Sequence, residues 1–142
     1  MIFDRNNLFS NSQAVTATAA STDVIDLGAT GTPVGSSAAL VRDIGLGNPL
    51  PLRVQIVEAF NNLTSVTIAL QVDDNEAFGS PKTVQSVTVV LAALTLGAVV
   101  GAFNYVPRGT DERYLRLHYT VTGTAPTLGK VTAGVVAASQ EP

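Results

Sequence analysis

The sequence predicts an all-β protein, a jelly-roll β-sandwich of about eight antiparallel strands. Two segments carry this prediction, 66–73 and 113–121, because apolar residues alternate with other residues along both. Each segment places four residues on one face of a strand: Val66, Ile68, Leu70 and Val72 in the first, and Leu115, Leu117, Tyr119 and Val121 in the second. Arg116, His118 and Thr120 share the opposite face of the second strand. Repeated two-faced strands are typical of a sandwich or barrel, and eight is the strand number of a jelly roll.

The remaining strands follow from runs of β-branched and apolar residues between turn signals. The expected strands are 13–20, 22–27, 38–41, 52–60, 65–73, 82–91, 98–106, 113–122 and 129–138. Three intervening segments, 28–37, 43–52 and 122–129, are rich in Gly, Pro, Thr or Ser and are expected to be loops or, for 43–52, an extended arm entering a strand. Residues 1–12 are expected to form an N-terminal arm, and residues 13–142 a single sandwich domain.

The composition favours a protein that associates with partners. A chain of 142 residues suits one domain, yet 46% of its residues are hydrophobic and only 13% are charged. The most apolar stretch, 87–103, is interrupted by Thr and Gly, and we interpret it as two strands, or a strand and a loop, and not as a membrane helix. The surplus apolar surface is expected to lie in a partner interface.

Charge and reactive residues argue against several classes of function. A net charge of −3 argues against direct nucleic-acid binding, which requires clustered Lys and Arg. The chain has one His and no Cys, so neither a metal site nor another cofactor is expected, and we predict that it is not an enzyme. The first ten residues lack a basic region followed by an apolar run, so no secretory signal is predicted.

Three local clusters have two interpretations each. Residues 73–76 carry four oxygen-bearing side chains, which fit a hairpin turn or a calcium site, although the spacing is not that of an EF-hand. His118 faces solvent or an interface, and its protonation near pH 6 is hypothesised to weaken assembly. The turn 107–113 contains Arg108 and Arg113 and is flanked by Tyr105 and Tyr114. It is either a solvated turn with weak ion pairs or a partner-recognition site.

The chain resembles a family of small cement proteins that decorate the capsids of tailed bacteriophages. The resemblance is carried, in order, by MIFDRNNLFSNSQAVTATAASTDVIDLG at the start, LPLRVQIVEAFNNLTSVTIALQVDDNEAF in the middle and RYLRLHYTVTGTAPTLGKVTAGVV near the end. It implies a non-enzymatic jelly roll that forms a homodimer or homotrimer. The resemblance further implies a location on the outer surface of the virion, where the protein binds the major capsid protein and clamps neighbouring coat subunits.

Candidate contact residues for such a lattice lie in two places. They are Phe3, Asp4, Arg5, Leu8 and Phe9 in the N-terminal segment, and Arg108 and Arg113 in the turn. Deleting residues 1–10 is expected to leave the fold intact and to reduce capsid occupancy. The alternative function is a glycan-binding jelly-roll module on a virion surface, which is disfavoured because the chain has no Trp and only 6% aromatic residues.

Overall fold

A computed structural model describes residues 3–43 and 48–137, which form nine β-strands and one short 3-10 turn. The strands are β1 (Phe3–Ala14), β2 (Ala19–Ala20), β3 (Ile25–Asp26), β4 (Asn48–Glu58), β5 (Leu63–Asp73), β6 (Lys82–Val90), β7 (Val99–Val106), β8 (Tyr114–Gly123) and β9 (Lys130–Val136). The 3-10 turn spans Leu91–Ala93. The described part of the chain contains no α-helix, and no helix in it is long and apolar enough to cross a membrane.

The strands form two antiparallel sheets that pack face to face. Sheet A has the order β1-β9-β4-β7, and sheet B has the order β2-β8-β5-β6, with β3 also paired to β8. The short strands β2 and β3 follow each other along β8, at Ala20↔His118 and Ile25↔Leu115. The predicted all-β sandwich is therefore confirmed, while the jelly-roll connection stays a prediction.

The core lies between the sheets and is built from the predicted alternation. The inward row of β5, Val66, Ile68, Leu70 and Val72, is fully buried. On β8 the inward residues Leu115, Leu117 and Tyr119 are also buried, and Val121 packs partly buried against the same core. The two faces predicted for these strands are thus confirmed.

The prediction of an N-terminal arm separate from the sandwich is wrong for the described residues 3–12. They belong to β1, which runs through the predicted boundary at residue 12 and pairs with β9. Phe9 is fully buried in the core, so a chain without residues 1–10 would lose most of an edge strand and a core aromatic. From the structure we therefore expect this deletion to destabilise the fold, in contrast to the prediction from the sequence. Three register shifts interrupt the pairing of β1 with β9, and such bulges disguise the alternation that marks a strand.

Three predicted strands also differ from the structure. Residues 38–41 lie in an exposed loop, where the Leu40 N–H donates to the carbonyl of Gly31 and not to a sheet. The predictions at 13–20 and 22–27 correspond only to the end of β1 and to the two-residue strands β2 and β3. Between β1 and β2 the chain passes from sheet A to sheet B, so it cannot continue either ladder there.

The other predicted segments agree with the structure. The expected strands from 52–60 onward match β4 to β9, with β4 beginning earlier and β9 ending earlier than predicted. The stretch 87–103 consists of the end of β6, the 3-10 turn and most of β7, so its interpretation as two strands is confirmed. Residues 28–37 form the expected exposed loop. Part of the predicted arm at 43–52 becomes β4, and residues 44–47 lie outside the described residues.

Candidate partner-binding surface

The candidate residues of β1 differ in accessibility. Leu8 and Phe9 are buried, and Phe3 is half-buried. Asp4 and Arg5 are exposed, and the Asp4 carboxylate accepts the Asn6 N–H at 3.0 Å. A buried side chain contributes no area to a partner contact, so Leu8 and Phe9 support the fold of this chain and are no longer candidates for a lattice contact.

Arg113 is engaged within its own chain. Its Nε and Nη2 atoms donate to the two carboxylate oxygens of Asp26, each at 2.6 Å, and its guanidinium lies 4.9 Å from the centre of the Tyr114 ring. The hydrogen bonds from Arg113, followed by the N–H of Gly28, lower the pKa of Asp26 to about 2. Arg108 is exposed at the neighbouring turn. The structure thus shows Arg113 in an ion pair. Its planar guanidinium group already binds the carboxylate of Asp26 with two hydrogen bonds.

Arg113 belongs to a larger polar network at one end of the sandwich. We call this end, formed by the loops 27–43, 74–81 and 107–113, the charged end. Asp111 accepts the backbone N–H of Arg42, and Asp43 accepts the N–H of Gly109 at 2.8 Å. Lys82 donates to the Gly109 carbonyl at 2.9 Å and pairs with Glu112 at 3.3 Å. The charges of these loops thus bind the loops to one another.

The acidic cluster at 73–76 belongs to the same end and forms a turn. The carboxylate of Asp73 accepts the N–H groups of Asn75 and Ser80, both at 2.9 Å, which lowers its pKa. The side-chain oxygen of Asn75 accepts the N–H of Ala77 at 2.9 Å. The turn interpretation is therefore confirmed. Within residues 3–43 and 48–137 no three His, Cys, Asp or Glu side chains are arranged to hold a metal ion.

The opposite end of the sandwich carries no charged side chain in its loops. We call this end, formed by the loops 15–18, 59–62, 91–98 and 124–129, the apolar end. Leu96 and Leu128 project from it, with 71% and 52% of their surface exposed. The ion pair Glu58–Lys130, with 2.6 Å between the charged atoms, lies at the strand ends just inside these loops. Single exposed leucines are common on protein surfaces, but their place on loops without charge matches the depletion of charged residues at the centre of protein interfaces.

The loops of the apolar end are held in place by hydrogen bonds that leave both leucines outward. The Asn61 side-chain oxygen accepts the N–H groups of Thr127 and Leu128 at 2.9 and 3.0 Å. In the loop 91–98, Leu94 is buried in the core and its carbonyl accepts the N–H of Phe60 at 3.1 Å. Gly97 donates to the carbonyl of Ile56 at 2.8 Å. Leu96 and Leu128 are therefore presented by ordered loops, which reduces the entropy lost on binding.

The outer face of sheet B carries polar side chains around Arg116, and neighbouring side chains partly bury them. Arg116 donates to the Gln71 side chain at 2.9 Å and stacks 4.1 Å from the centre of the Phe78 ring. His118 lies beside it on β8, and partial burial, together with the positive charge of Arg116, lowers the pKa of His118. Its protonation therefore requires a pH below the ordinary range of histidine. The hypothesis that this protonation weakens assembly stays a prediction.

A buried polar pair links β1 to sheet B. The Ser10 and Tyr119 hydroxyls are 2.8 Å apart, and Ser10 also donates to the Gln13 side chain at 2.6 Å. Burial raises the pKa of Tyr119. Because both hydroxyl-bearing residues are fully buried, this pair satisfies polar groups inside the sandwich and offers no accessible nucleophile.

Sequence reasoning did not identify Leu96 and Leu128. A signal was present, because both leucines lie in turns without a charged residue, next to glycines. The alternation rule does not apply to turns, so it could not tell a buried loop leucine such as Leu94 from an exposed one such as Leu96.

Comparisons with known proteins give one family. No curated protein matches the chain. The Bbp16 family model matches residues 9–135, which includes all of the sandwich except the beginning of β1 and the last residue of β9. The chain therefore belongs to the Bbp16 family.

Proposed function

We propose that this chain is a structural capsid decoration protein, a cement protein that binds the outer surface of a phage capsid as a homo-oligomer and stabilises contacts between coat subunits. The observation that carries the proposal is the apolar end, where Leu96 and Leu128 stand exposed on ordered, charge-free loops. Together with the sequence resemblance to cement proteins, it supplies a surface for the major capsid protein. No enzymatic step, metal or cofactor enters the proposal.

The strand order supports the jelly-roll part of the proposal. If β2 and β3 count as one interrupted strand, the sandwich has two sheets of four strands. The chain passes from one sheet to the other at every connection except the β5–β6 hairpin. Eight strands in two sheets are the architecture of jelly rolls. Such a scaffold fixes the loops of each end on a rigid body, as a clamp between coat subunits requires.

Stabilisation of the capsid by such a protein follows from thermodynamic linkage between binding and assembly. A protein that binds only the assembled lattice stabilises each site by RT ln(1 + [L]/Kd), and the many sites of a capsid act together. Burying one exposed leucine contributes roughly 1.5–3 kcal/mol. Two leucines on one loop cluster therefore provide a modest contact, which bridging of two coat subunits strengthens through effective concentration.

The test is the abundance of the chain on particles. Particles of the phage that encodes it are sedimented through a density gradient, and the chain is quantified against the major capsid protein by mass spectrometry in every fraction. The proposal expects co-sedimentation at a fixed ratio, comparable to that of the coat. A chain that remains at the top of the gradient, or occurs in only a few copies per particle, would overturn it.

The glycan-binding alternative stays a prediction. Sugar-binding sites commonly use exposed aromatic rings, and Tyr105 is the one aromatic side chain with a largely exposed surface in the described residues. Arg116 covers the Phe78 ring, and Arg113 lies over Tyr114. A glycan array tests this alternative without capsids.

A further inference from the structure

Arg116 is held on the outer face of sheet B by contacts on two sides. Its Nε atom donates to the side-chain oxygen of Gln71, the residue directly opposite on β5, at 2.9 Å. Its guanidinium group lies over the Phe78 ring, 4.1 Å from the ring centre. These two contacts leave the planar group few orientations, so it loses little conformational entropy when it binds a ligand.

The residue beneath the guanidinium group, Phe78, has an unfavourable backbone conformation. Its φ is 50°, in the left-handed region where a bulky residue is an outlier. The turn maintains this conformation, because the Phe78 N–H donates to the Asn75 carbonyl at 2.9 Å. The Asp73 carboxylate closes the same turn by accepting the N–H of Ser80 at 2.9 Å. Strained residues are concentrated at functional sites, and here the strained residue supports Arg116.

The end of the Arg116 guanidinium group is open to a ligand. Within residues 3–43 and 48–137, its Nη1 and Nη2 atoms make no hydrogen bond and no ion pair, and neither is a buried atom without a partner. Both atoms therefore reach the surface. Asp73, the carboxylate whose charge acts on Arg116, already accepts the N–H groups of Asn75 and Ser80. Arg116 thus presents two donors in the arrangement that a carboxylate accepts with both oxygens.

The surroundings of Arg116 on this side of the sandwich carry no negative charge. We call the outward residues of segments 64–71, 83–90 and 115–123 the sheet B face. These segments contain no Asp or Glu, and Arg116 and His118 are their basic residues. The chain nevertheless has a net charge of −3, so its acidic residues lie outside this face. A negatively charged partner is therefore attracted to the sheet B face without meeting a like charge there.

Partial burial makes a carboxylate more valuable to Arg116 than to an exposed arginine. Arg116 is half-buried, and burial lowers its pKa, while the charge of Asp73 opposes that change. The group stays protonated, because a guanidinium is not deprotonated in proteins. Its lost hydration is compensated in part by Gln71 and Phe78, and a partner's carboxylate would complete the compensation. An ion pair formed in such a partly desolvated place is stronger than one in full contact with water.

We propose that the sheet B face is a second partner-binding surface, on which Arg116 pairs end-on with an Asp or Glu side chain of a partner protein. The inference rests on the proposed function for the identity of that partner, the coat, and it concerns a surface distinct from the apolar end. Thr67, Ala69 and Thr120 lie on the same face. Their side chains are short and uncharged, so an extended acidic segment can approach Arg116 closely.

The first test is a titration of the full chain with a capped hexaglutamate peptide at low ionic strength, followed by NMR. The Nε–H signal of Arg116 reports on the guanidinium group directly. We expect saturable shifts of this signal and of the β5 and β8 amides, and no such shifts with hexaglutamine. A titration that leaves the sheet B face unchanged, or that shifts only the loops of the charged end, would overturn the proposal.

Substitutions of Arg116 separate its charge from its shape. Arg116→Gln should weaken peptide binding at least about 10-fold, as expected for hydrogen bonds to a charged group. Arg116→Lys keeps the charge without the paired donors and should also weaken binding. The matched control Arg108→Gln removes the same charge from an exposed turn of the charged end and should bind like the wild type. Wild-type affinity in either Arg116 variant would contradict end-on pairing.

Gln71→Glu tests the same contact without removing Arg116. The substitution preserves the shape of the side chain and places a carboxylate of the chain itself beside the guanidinium group. Peptide affinity should fall about 10-fold, while the free energy of unfolding should not decrease. The matched control Gln55→Glu makes the same change on half-buried Gln55 of β4 in sheet A and should bind like the wild type. An Arg116 that only supports the fold would leave the peptide affinity of Gln71→Glu unchanged.

The capsid assay separates this inference from the proposed function. If both hold, the wild type occurs on particles at a fixed ratio and Gln71→Glu binds them about 10-fold more weakly. A wild type that binds hexaglutamate through the sheet B face but is absent from particles would refute the cement function and leave the carboxylate-binding surface standing. A wild type that occurs on particles, with a sheet B face that hexaglutamate does not perturb, would refute this inference and leave the cement function standing.

Discussion

The two ends of the sandwich have loops that are ordered by different means. At the charged end, Asp26, Asp43, Asp111 and Glu112 are all engaged by Arg, Lys or backbone N–H groups of neighbouring loops. At the apolar end, Asn61 and main-chain groups make the hydrogen bonds. Most charged groups of the first end are therefore engaged within the chain. Both ends expose apolar side chains, but only at the second end do they lie on loops without a charged residue.

A concentration of charge is therefore a poor guide to the binding surface of this protein. A partner that binds Arg113 must displace the carboxylate of Asp26, which accepts two hydrogen bonds from it, and must desolvate both charged groups. A new ion pair at the surface would contribute little free energy in exchange. A partner that covers Leu96 and Leu128 gains from burial without breaking an internal contact. We therefore prefer Leu96 and Leu128 as contact residues, whereas the sequence had favoured Arg113.

The largest expected effect comes from charging the apolar end. In the double variant Leu96→Asp, Leu128→Asp, particle binding should weaken at least about 100-fold, because each leucine contributes roughly 1.5–3 kcal/mol when buried. The free energy of unfolding should change by less than about 0.5 kcal/mol per site, as both side chains are exposed. Titration of particles lacking the chain with labelled protein measures the affinity.

The matched control for that variant lies at the charged end. Leu40 is 59% exposed in the loop 27–43, so Leu40→Asp adds the same charge to a similarly accessible leucine. It should leave particle binding unchanged. Loss of binding by Leu40→Asp, with full binding by the apolar-end variant, would show that the two ends have the opposite roles.

An intermediate effect is expected from two glycine substitutions, one at each end. Gly129 has a φ of 135°, and an added Cβ would collide with the Phe60 ring. Gly129→Ala should therefore lower the free energy of unfolding by roughly 2–5 kcal/mol, through backbone strain and overpacking. Gly109 has a φ of 85° with open space around its Cβ position, so Gly109→Ala should cost only about 1–2 kcal/mol. Chemical denaturation measures both, and equal losses would contradict the close contact between Gly129 and the Phe60 ring.

The smallest expected effect is a pH dependence confined to the charged end. The pKa of Asp26 is lowered from 3.8 to about 2 in the folded chain, so this carboxylate contributes stability above pH 3.8 that is lost as the pH falls toward 2. Asp26→Asn should therefore reduce the free energy of unfolding slightly at pH 7, and the difference from wild type should become smaller as the pH falls to about 2. Denaturant titrations at the two pH values test this, and a difference as large at pH 2 as at pH 7 would contradict it.

Sequence reasoning predicted most of the fold where strands alternate strictly. Strands β5 and β8 were placed within about two residues, because each has one face in the core and one outside. Strand β1 was missed because its bulges bring Phe9 and Ser10, neighbours in sequence, both into the buried interior. The predicted strand at 38–41 is apolar, but it has no partner strand in the described sheets.

The binding surface was less predictable for a physical reason. The bond between Arg113 and Asp26 joins residues 87 positions apart, and no local pattern reports such a pair. The exposure of Leu96 depends on how Leu94 anchors its loop in the core, which is a property of the packed structure. Sequence patterns indicated that apolar surface was in excess. The structure shows exposed apolar side chains in the loops of both ends: Leu96 and Leu128 at the apolar end, and Leu27, Val34, Leu40 and Val41 in the loop 27–43.

Hydrogen–deuterium exchange on the free and the particle-bound protein tests the central claim most directly. The apolar end, loops 91–98 and 124–129, should exchange more slowly on particles than in solution, while loops 27–43 and 107–113 of the charged end should be unchanged. Protection confined to the charged end would contradict the assignment of the lattice contact, and a bound protein with no change at either end would contradict it equally.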